Sequence, residues 1–503
     1  MDAGPQQHQA MDVDAADAQA LAKQLRALDA KELLAVALDA LKRDAAPLAA
    51  ALAARESKRP KKRRRKAQKP MDLTKYEARD VALWIAYDGG AYRGFAAQEK
   101  AEVDVDTVER QLFQALEKTC LVSGRDACAY SRCGRTDKGV SAAGQVVGLR
   151  LRSVARRGTA FEPATHPGDA LANTERRDAE TNEIIPNTQK RELDYVGMLN
   201  RVLPDDVRAL AWAPVAEGFS ARFSCASRTY RYWLARENAH GRPRDVEAMR
   251  RAASKFVGDH DFRNFCKMDA RPRRLDPLQT PSPRLGRVET QVVHVSNFRR
   301  EIYAARVEAA GPGLLRFEVH GQAFLWHMVR CLVAIIELVG DGLEAPDVVD
   351  ALLDVARSPR RPQYALADEA PLVLHDCAFD TVRPAPTPEA LLQLHEHLTR
   401  ERHTARVALA RTENLLEKLD GFSVRTAGAE VPWAQARPPL LAAADERARA
   451  AHRPLLAREG GKTYEEKVAA ARENPTKRSK FEACASKRSE NRGGFHAEKR
   501  RCG

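Results

Sequence analysis

No two cysteines of this chain stand at C-x-x-C spacing, no uncharged apolar run reaches bilayer length, and acidic residues are too few to balance the basic ones. Each shortage removes a class of protein. The nine cysteines, at 120, 128, 133, 225, 266, 331, 377, 484 and 502, are scattered along 503 residues, so structural zinc is not expected. Such scatter fits reduced thiols in the nucleus and/or cytoplasm, where disulfides are rare. The most apolar stretch, Ala323 to Val339, contains Arg330 and Glu337, which argues against a membrane span of about twenty apolar residues and for a buried helix. Residues 1–20 hold Asp2, Asp12, Asp14 and Asp17 with no apolar centre, so neither a secretory signal nor an Arg-rich transit peptide fits. With 83 Lys and Arg against 69 Asp and Glu, the net charge is +14. That excess points to an anionic partner such as nucleic acid, or to basic tails alone, and composition leaves both open.

The pattern along the chain suggests four regions. Residues 1–76 read as a helical or disordered extension: leucines 21, 25, 28 and 33 recur near helical spacing. The block Lys58 to Lys66 reads as a nuclear-localisation or RNA-contacting arm, or as a solvated linker. Residues 77–215 read as a first lobe. Val81, Leu83 and Ile85 alternate as a strand, Thr107 can cap a helix running to Lys118, and Gln145 to Leu151 form another strand. A polar insertion, 153–192, has too little apolar surface to order itself.

Residues 216–382 read as a second lobe. There Leu315, Phe317 and Val319 alternate on a strand, and a helix apolar all round is expected to follow within Ala323 to Val333. Residues 383–503 read as an extension with a Pro-rich linker, a helix over Leu391 to Leu419, and a basic tail from Arg453 that is expected to be mobile and RNA-contacting.

The densest chemistry lies in Tyr130-Ser131-Arg132-Cys133-Gly134-Arg135-Thr136-Asp137-Lys138-Gly139-Val140-Ser141-Ala142. Two glycines there let a ligand approach the backbone, and Arg132, Arg135 and Lys138 suit phosphate oxygens. Asp137 is the lone carboxylate among cations, so it is expected to stay ionised, and a positioned carboxylate can act as a nucleophile. The alternative is a surface turn with salt bridges.

Further on, Gly218 to Leu234 mixes basic and aromatic residues. On a strand Tyr230 and Tyr232 share one face. A ring beside cations can stack on a base, or the segment is an aromatic-rich core strand. In Phe256 to Lys267, His260 has no metal-ligand partner at suitable spacing and reads as structural or RNA-contacting, while Asn264 and Lys267 are candidate RNA contacts. Arg330, inside the apolar helix, is a guanidinium that is costly to bury without an anion: its partner is Asp137, Glu337 two turns on, or solvent at a helix edge.

Arg135-Thr136-Asp137-Lys138-Gly139-Val140-Ser141-Ala142 resembles the catalytic loop of the TruA family of tRNA pseudouridine synthases, and the preceding Tyr-Ser-Arg-Cys-Gly is similar to its eukaryotic branch acting at positions 38 and 39 of the anticodon arm. Arg228-Thr229-Tyr230-Arg231-Tyr232 and His327-Met328-Val329-Arg330 resemble the family's second and third motifs. The resemblance, from about Val81 to Phe379, implies an α/β (α+β) fold of two lobes with mixed, mainly antiparallel sheet backed by helices around a basic cleft. It implies Asp137 as nucleophile, Tyr230 on the target uracil with Tyr232 as packing, Arg330 paired with Asp137, and Arg135 filling the place of the flipped base. It further implies tRNA as partner, no metal or organic cofactor, and a possible homodimer.

Overall fold

The computed structural model describes residues 71–97, 105–157, 176–177, 184–185, 191–268, 297–426 and 428–473. Contacts divide the chain into residues 1–71 and 72–503, and everything below concerns the second unit. The expected N-terminal helix, the Lys58 to Lys66 block, Arg271 to Pro283 and the end of the basic tail lie outside the described residues.

Nine strands form one continuous sheet. In chain order they are β1 (Tyr76–Tyr87), β2 (Ser131–Arg132), β3 (Ser141–Arg156), β6 (Val207–Pro214), β7 (Cys225–Ala235), β8 (Gly258–Asp261), β9 (Arg299–Ala309), β10 (Leu314–Gly321) and β11 (Leu372–Phe379). The spatial order is β6-β1-β3-β11-β7-β10-β9-β8, with β2 against β3. All pairs are antiparallel except β11 with β3. The two expected lobes are therefore halves of a single mixed sheet, and β11 is the seam. A short ribbon, β4 (Arg176–Arg177) with β5 (Ile184–Ile185), lies inside the insertion. The base of that insertion is closed by the Glu192 carboxylate, which accepts from Ser153 Oγ at 2.7 Å and from Arg79 Nη1 at 2.9 Å.

Each half has its own apolar core. Around the first, α1 (Val108–Lys118) starts where Thr107 accepts from Arg110 N, as its sequence expects, and α2 (Tyr195–Asn200) starts at Asp194, whose side chain accepts from Gly197 N. The alternation in β1 anticipates one buried face, but Ala82 and Trp84 are as buried as Val81, Leu83 and Ile85. Apolar groups cover the strand from both sides: the Trp84 ring meets Phe379 edge-on at 6.3 Å.

The second core gathers α3 (Val246–Ser254), α4 (Met328–Gly340) and α5 (Val348–Leu353) against β7, β9 and β10. In β10 Leu315, Phe317 and Val319 are fully buried, as the alternation requires. Helix α4 begins at Met328, later than the apolar run suggests, because His327 turns left-handed at φ 60°.

Beyond the sheet lie α6 (Pro388–Asp420), the hairpin β12 (Ser423–Thr426) with β13 (Ala429–Pro432), α7 (Trp433–Ala451) and α8 (Tyr464–Glu473). The expectation of a mobile tail from Arg453 is corrected for residues 453–473. Leu455 is fully buried, and Glu344 Oε1 accepts from Leu455 N at 2.7 Å and lies 2.8 Å from His452 Nε2. One apolar anchor and one carboxylate suffice to tie this basic segment to the second half.

Candidate active site

The Asp137 loop is held by its backbone. Gln145, buried on β3, accepts from Gly134 N and donates to Gly134 O, both at 3.0 Å. Thr136 O accepts from Phe95 N at 3.2 Å, and the Thr136 hydroxyl lies 2.7 Å from Tyr87 Oη. Gly139 N donates to Tyr92 O. Gly139 itself is left-handed at φ +77°, and a Cβ there would stand 2.7 Å from Glu369 Cγ, so glycine meets both a conformational and a steric demand. These fastenings leave the Asp137 side chain part-exposed while its neighbour Thr136 is buried.

Across from the loop, the turn into α4 offers side chains. Trp326 Nε1 donates to Asp137 Oδ1 at 3.2 Å, and His327 Nε2 is 3.5 Å from Asp137 Oδ2. Burial pushes the His327 imidazole below its usual pKa, outweighing the opposing pull of Asp137, while the charge of Arg330 adds to the lowering. Near neutral pH the ring is thus neutral. Its Nδ1 is buried without a hydrogen-bond partner, an arrangement easier for an unprotonated nitrogen than for an N–H, which assigns the donor role to Nε2. A left-handed non-glycine residue at this point costs on the order of 1–3 kcal/mol, a strain typical of working sites.

Arg330 is held differently from the expectation. Its Nη2 pairs with Glu369 Oε2 at 2.8 Å and its Nε donates to Ala367 O at 2.6 Å. Neither Asp137 nor Glu337 is its partner; Glu337 pairs with Arg244 at 3.1 Å. The segment leading into β11 brings a carboxylate and a carbonyl to the guanidinium, and the sequence spacing concealed both. Because Glu369 also packs on Gly139, Arg330 reaches the Asp137 loop through that carboxylate.

The remaining expected site residues divide. Tyr230 lies on β7 with its ring edge-on to Phe324 at 4.9 Å, and burial pushes its phenol well above the usual value, so it is a neutral hydroxyl. Tyr232, two positions on, is buried in the second core. Lys267 is exposed, and its ammonium sits 4.4 Å from the Trp326 ring centre, beside the Asp137 contact. Arg135 and Lys138 are exposed on the loop. Asn264 is the correction: it is fully buried, and its Nδ2 donates to Leu352 O at 2.9 Å and Ser358 O at 2.7 Å. It brackets α5 from inside the core, where no RNA can reach it.

Sequence reasoning passed over several groups. Trp326 and Glu369 carried no signal beyond adjacency to Arg330 or to β11, and His327 stood in the third motif without a role of its own. Arg228, inside the second motif, is buried and fans out to Gln322 O at 2.8 Å, Cys133 O at 3.1 Å and Arg222 O at 3.2 Å, joining the root of the loop to the second half. Cys133, Cys225 and Cys377 bring their sulfurs within 4.8 Å of one another. Three sulfurs fall one donor short of the tetrahedral set of a structural zinc site, and they pack within the first core.

The Asp137 carboxylate on its fixed loop, the Trp326 indole donor and the His327 imidazole against it, and the part-buried Tyr230 on β7 all lie on or between strands of one mixed sheet seamed at β11. Residues 286–380 match the family model described as tRNA pseudouridine synthase. The chain is 44% identical over 329 residues to the human tRNA pseudouridine(38/39) synthase, covering 63% of this chain and 59% of that protein. It is 35% identical over 321 residues to a probable tRNA pseudouridine synthase of Caenorhabditis elegans, covering 62% and 70%. It is also 31% identical over 279 residues to tRNA pseudouridine synthase A of Methanothermobacter thermautotrophicus, covering 56% and 74%. The chain belongs to the tRNA pseudouridine synthase family. It spans about 59% of the length of its human relative.

Proposed function

We propose that this chain isomerises uridine to pseudouridine in the anticodon arm of tRNA, at positions 38 and 39, the positions carried in its human relative's name. The observation that carries the reading is the Asp137 carboxylate, backbone-fastened on its loop, hydrogen-bonded by the Trp326 indole and faced by the His327 imidazole at 3.5 Å. Those contacts hold its oxygens without a direct ion pair to Arg330, whose partner is Glu369. A carboxylate so placed can initiate cleavage of the N-glycosidic bond, either by attacking the sugar or by enabling proton loss from it. The freed uracil then rotates and reattaches through carbon.

The target uridine must leave the stack, at a cost of a few kcal/mol that is smallest near a loop, and exposed Arg135 on the loop helps to occupy its place. Lys138 and Lys267 supply cations for the backbone, and Arg330 holds Glu369 against the loop. Tyr230, as a neutral phenol, serves as a hydrogen-bond donor or packing surface for the base and not as a ready base.

The partner is tRNA, the address nucleus and/or cytoplasm, and the assembly a homodimer. Exposed Leu391, Leu392, Leu398 and Leu415 on α6 are the surface to alter when sedimentation velocity tests that last point. The function is tested by site-resolved pseudouridine mapping on unmodified tRNA transcripts with wild-type protein and Asp137→Ala. Pseudouridine at 38 and 39 that vanishes in the variant supports the reading. Signal at other uridines shifts it to a related synthase, and tRNA binding without pseudouridine replaces it with a non-catalytic tRNA-binding protein.

A further inference from the structure

Away from Asp137, the second half contains a basic cavity of about 470 Å³, lined by Arg361, Tyr364, Arg458, Lys462, Lys467 and Met268 among others. Two parts of the chain far apart in sequence build it. One is the segment before β11; the other is the folded stretch after α7, joined to it where Gly461 N donates to Arg361 O at 2.9 Å and Pro362 bridges Gly460.

The charges here are unbalanced. Arg361 has Nε and Nη2 buried without hydrogen-bond partners, and its guanidinium lies 4.2 Å from the Tyr364 ring centre. Arg458 gives Nη1 to Gln363 O at 2.9 Å and Nε to Arg453 O at 2.6 Å, both neutral acceptors. Glu466 is taken up by Arg360 at 2.5 Å and by Thr463 N at 2.9 Å. Among the described residues no carboxylate pairs with Arg361, Arg458, Lys462 or Lys467. Burial, followed by the charge of Arg361, pushes the Lys467 amine below its usual pKa. Two guanidinium and two ammonium groups around one cavity, with no carboxylate paired to them, form a recognition set for a tetrahedral oxyanion.

The cavity wall connects along the chain to the surroundings of Asp137. Met268 on its wall follows Lys267, which covers Trp326, which in turn bonds Asp137.

We propose that this cavity seats a phosphate group of the RNA backbone, an extension of the substrate surface built by residues 454–467 together with Arg361. The proposal rests on the reading of the chain as an RNA-modifying enzyme and adds a contact remote from the reacting base. A phosphodiester would supply the negative charge that the Arg361, Arg458, Lys462 and Lys467 lining lacks.

The test is RNA binding by the full chain across a salt series, read by fluorescence anisotropy on an unmodified tRNA transcript, for wild type, Lys462→Gln/Lys467→Gln and Arg361→Gln. The double variant should bind about tenfold more weakly near physiological salt, with the slope of log K against log salt reduced by about 1–2. Inorganic phosphate at constant ionic strength should raise the melting temperature of wild type and not of the double variant. Lys75→Gln/Lys118→Gln, two exposed lysines outside the cavity, removes the same number of charges and controls for charge alone.

An unchanged slope, or one reduced equally by the control, overturns the proposal. So does a phosphate-dependent melting shift with RNA affinity untouched, which would make the cavity a site for free phosphate. Melting curves without phosphate report whether the fold of each variant is intact. If wild type forms no pseudouridine while the slope still responds to the variants, the catalytic reading fails and the phosphate seat stands.

Discussion

The loop carrying Asp137 is fastened almost entirely through its backbone, by Gln145, Phe95 and Tyr92, whereas the opposing segment from Phe324 to Arg330 meets it with side chains. The first arrangement fixes where the carboxylate stands. The second fixes what surrounds it electrostatically: a neutral indole donor and a nearby imidazole on the carboxylate itself, and the Arg330 charge held one residue away by Glu369. The difference teaches that position and charge environment at this site come from opposite halves of one sheet, so they can be disturbed separately.

The most drastic way to break the comparison is Asp137→Ala, which removes the group both halves serve. Pseudouridine formation should fall by about a thousandfold or more while tRNA affinity is retained. Next in size is Asn264→Ala, which leaves Leu352 O and Ser358 O without their buried donor. It should cost roughly 2–3 kcal/mol in denaturant unfolding and leave RNA affinity in the folded protein unchanged. Weakened RNA binding at full stability would restore Asn264 as a substrate contact.

Glu369→Gln separates the halves more subtly. Losing one charged hydrogen bond at Arg330 should lower stability by about 1.5 kcal/mol, and the guanidinium becomes free to turn towards Asp137, lowering turnover. A stability loss with unaltered turnover would show that Glu369 has no role in shielding the carboxylate. Trp326→Phe keeps the ring under Lys267 but removes the donor to Asp137. Turnover should drop by about five- to tenfold, equivalent to about 1 kcal/mol, with KM little changed.

The smallest effect is the pH response of His327. Its folded pKa lies below the ordinary 6.5, so below that pH the unfolded chain binds more protons than the folded one. Stability therefore declines as pH falls through 6.5, and the penalty is absent above it. His327→Asn should flatten the decline in melting temperature with acidification. Part of the slope will persist, because burial also lowers the His375 imidazole. An unchanged slope would remove His327 from the titrating set.

Legibility followed range along the chain. The α1 cap at Thr107 and the alternation in β10 rest on neighbours within a few residues and were readable. Asp137 and Tyr230 were legible as candidates because the glycines and cations beside them, and the aromatic pattern of β7, are local. Asn264 was misread because an asparagine near cations looks like an RNA contact until α5 closes over it. Residues 453–473 were misread because a basic, aliphatic-poor segment gives no sign that Leu455 finds a buried site.

The sequence by itself determined the chemistry available: a carboxylate in a glycine-bearing loop, a tyrosine on a strand and an arginine in an apolar helix, each specified by local composition. Only the tertiary structure decided which groups meet. Glu369 takes Arg330, Trp326 and His327 take Asp137, and Arg361 is left with unmet donors in a cavity. The physical reason is that hydrogen bonds and ion pairs depend on distances of a few ångströms between elements remote in sequence, and those distances are set by how β11 joins the two halves of the sheet.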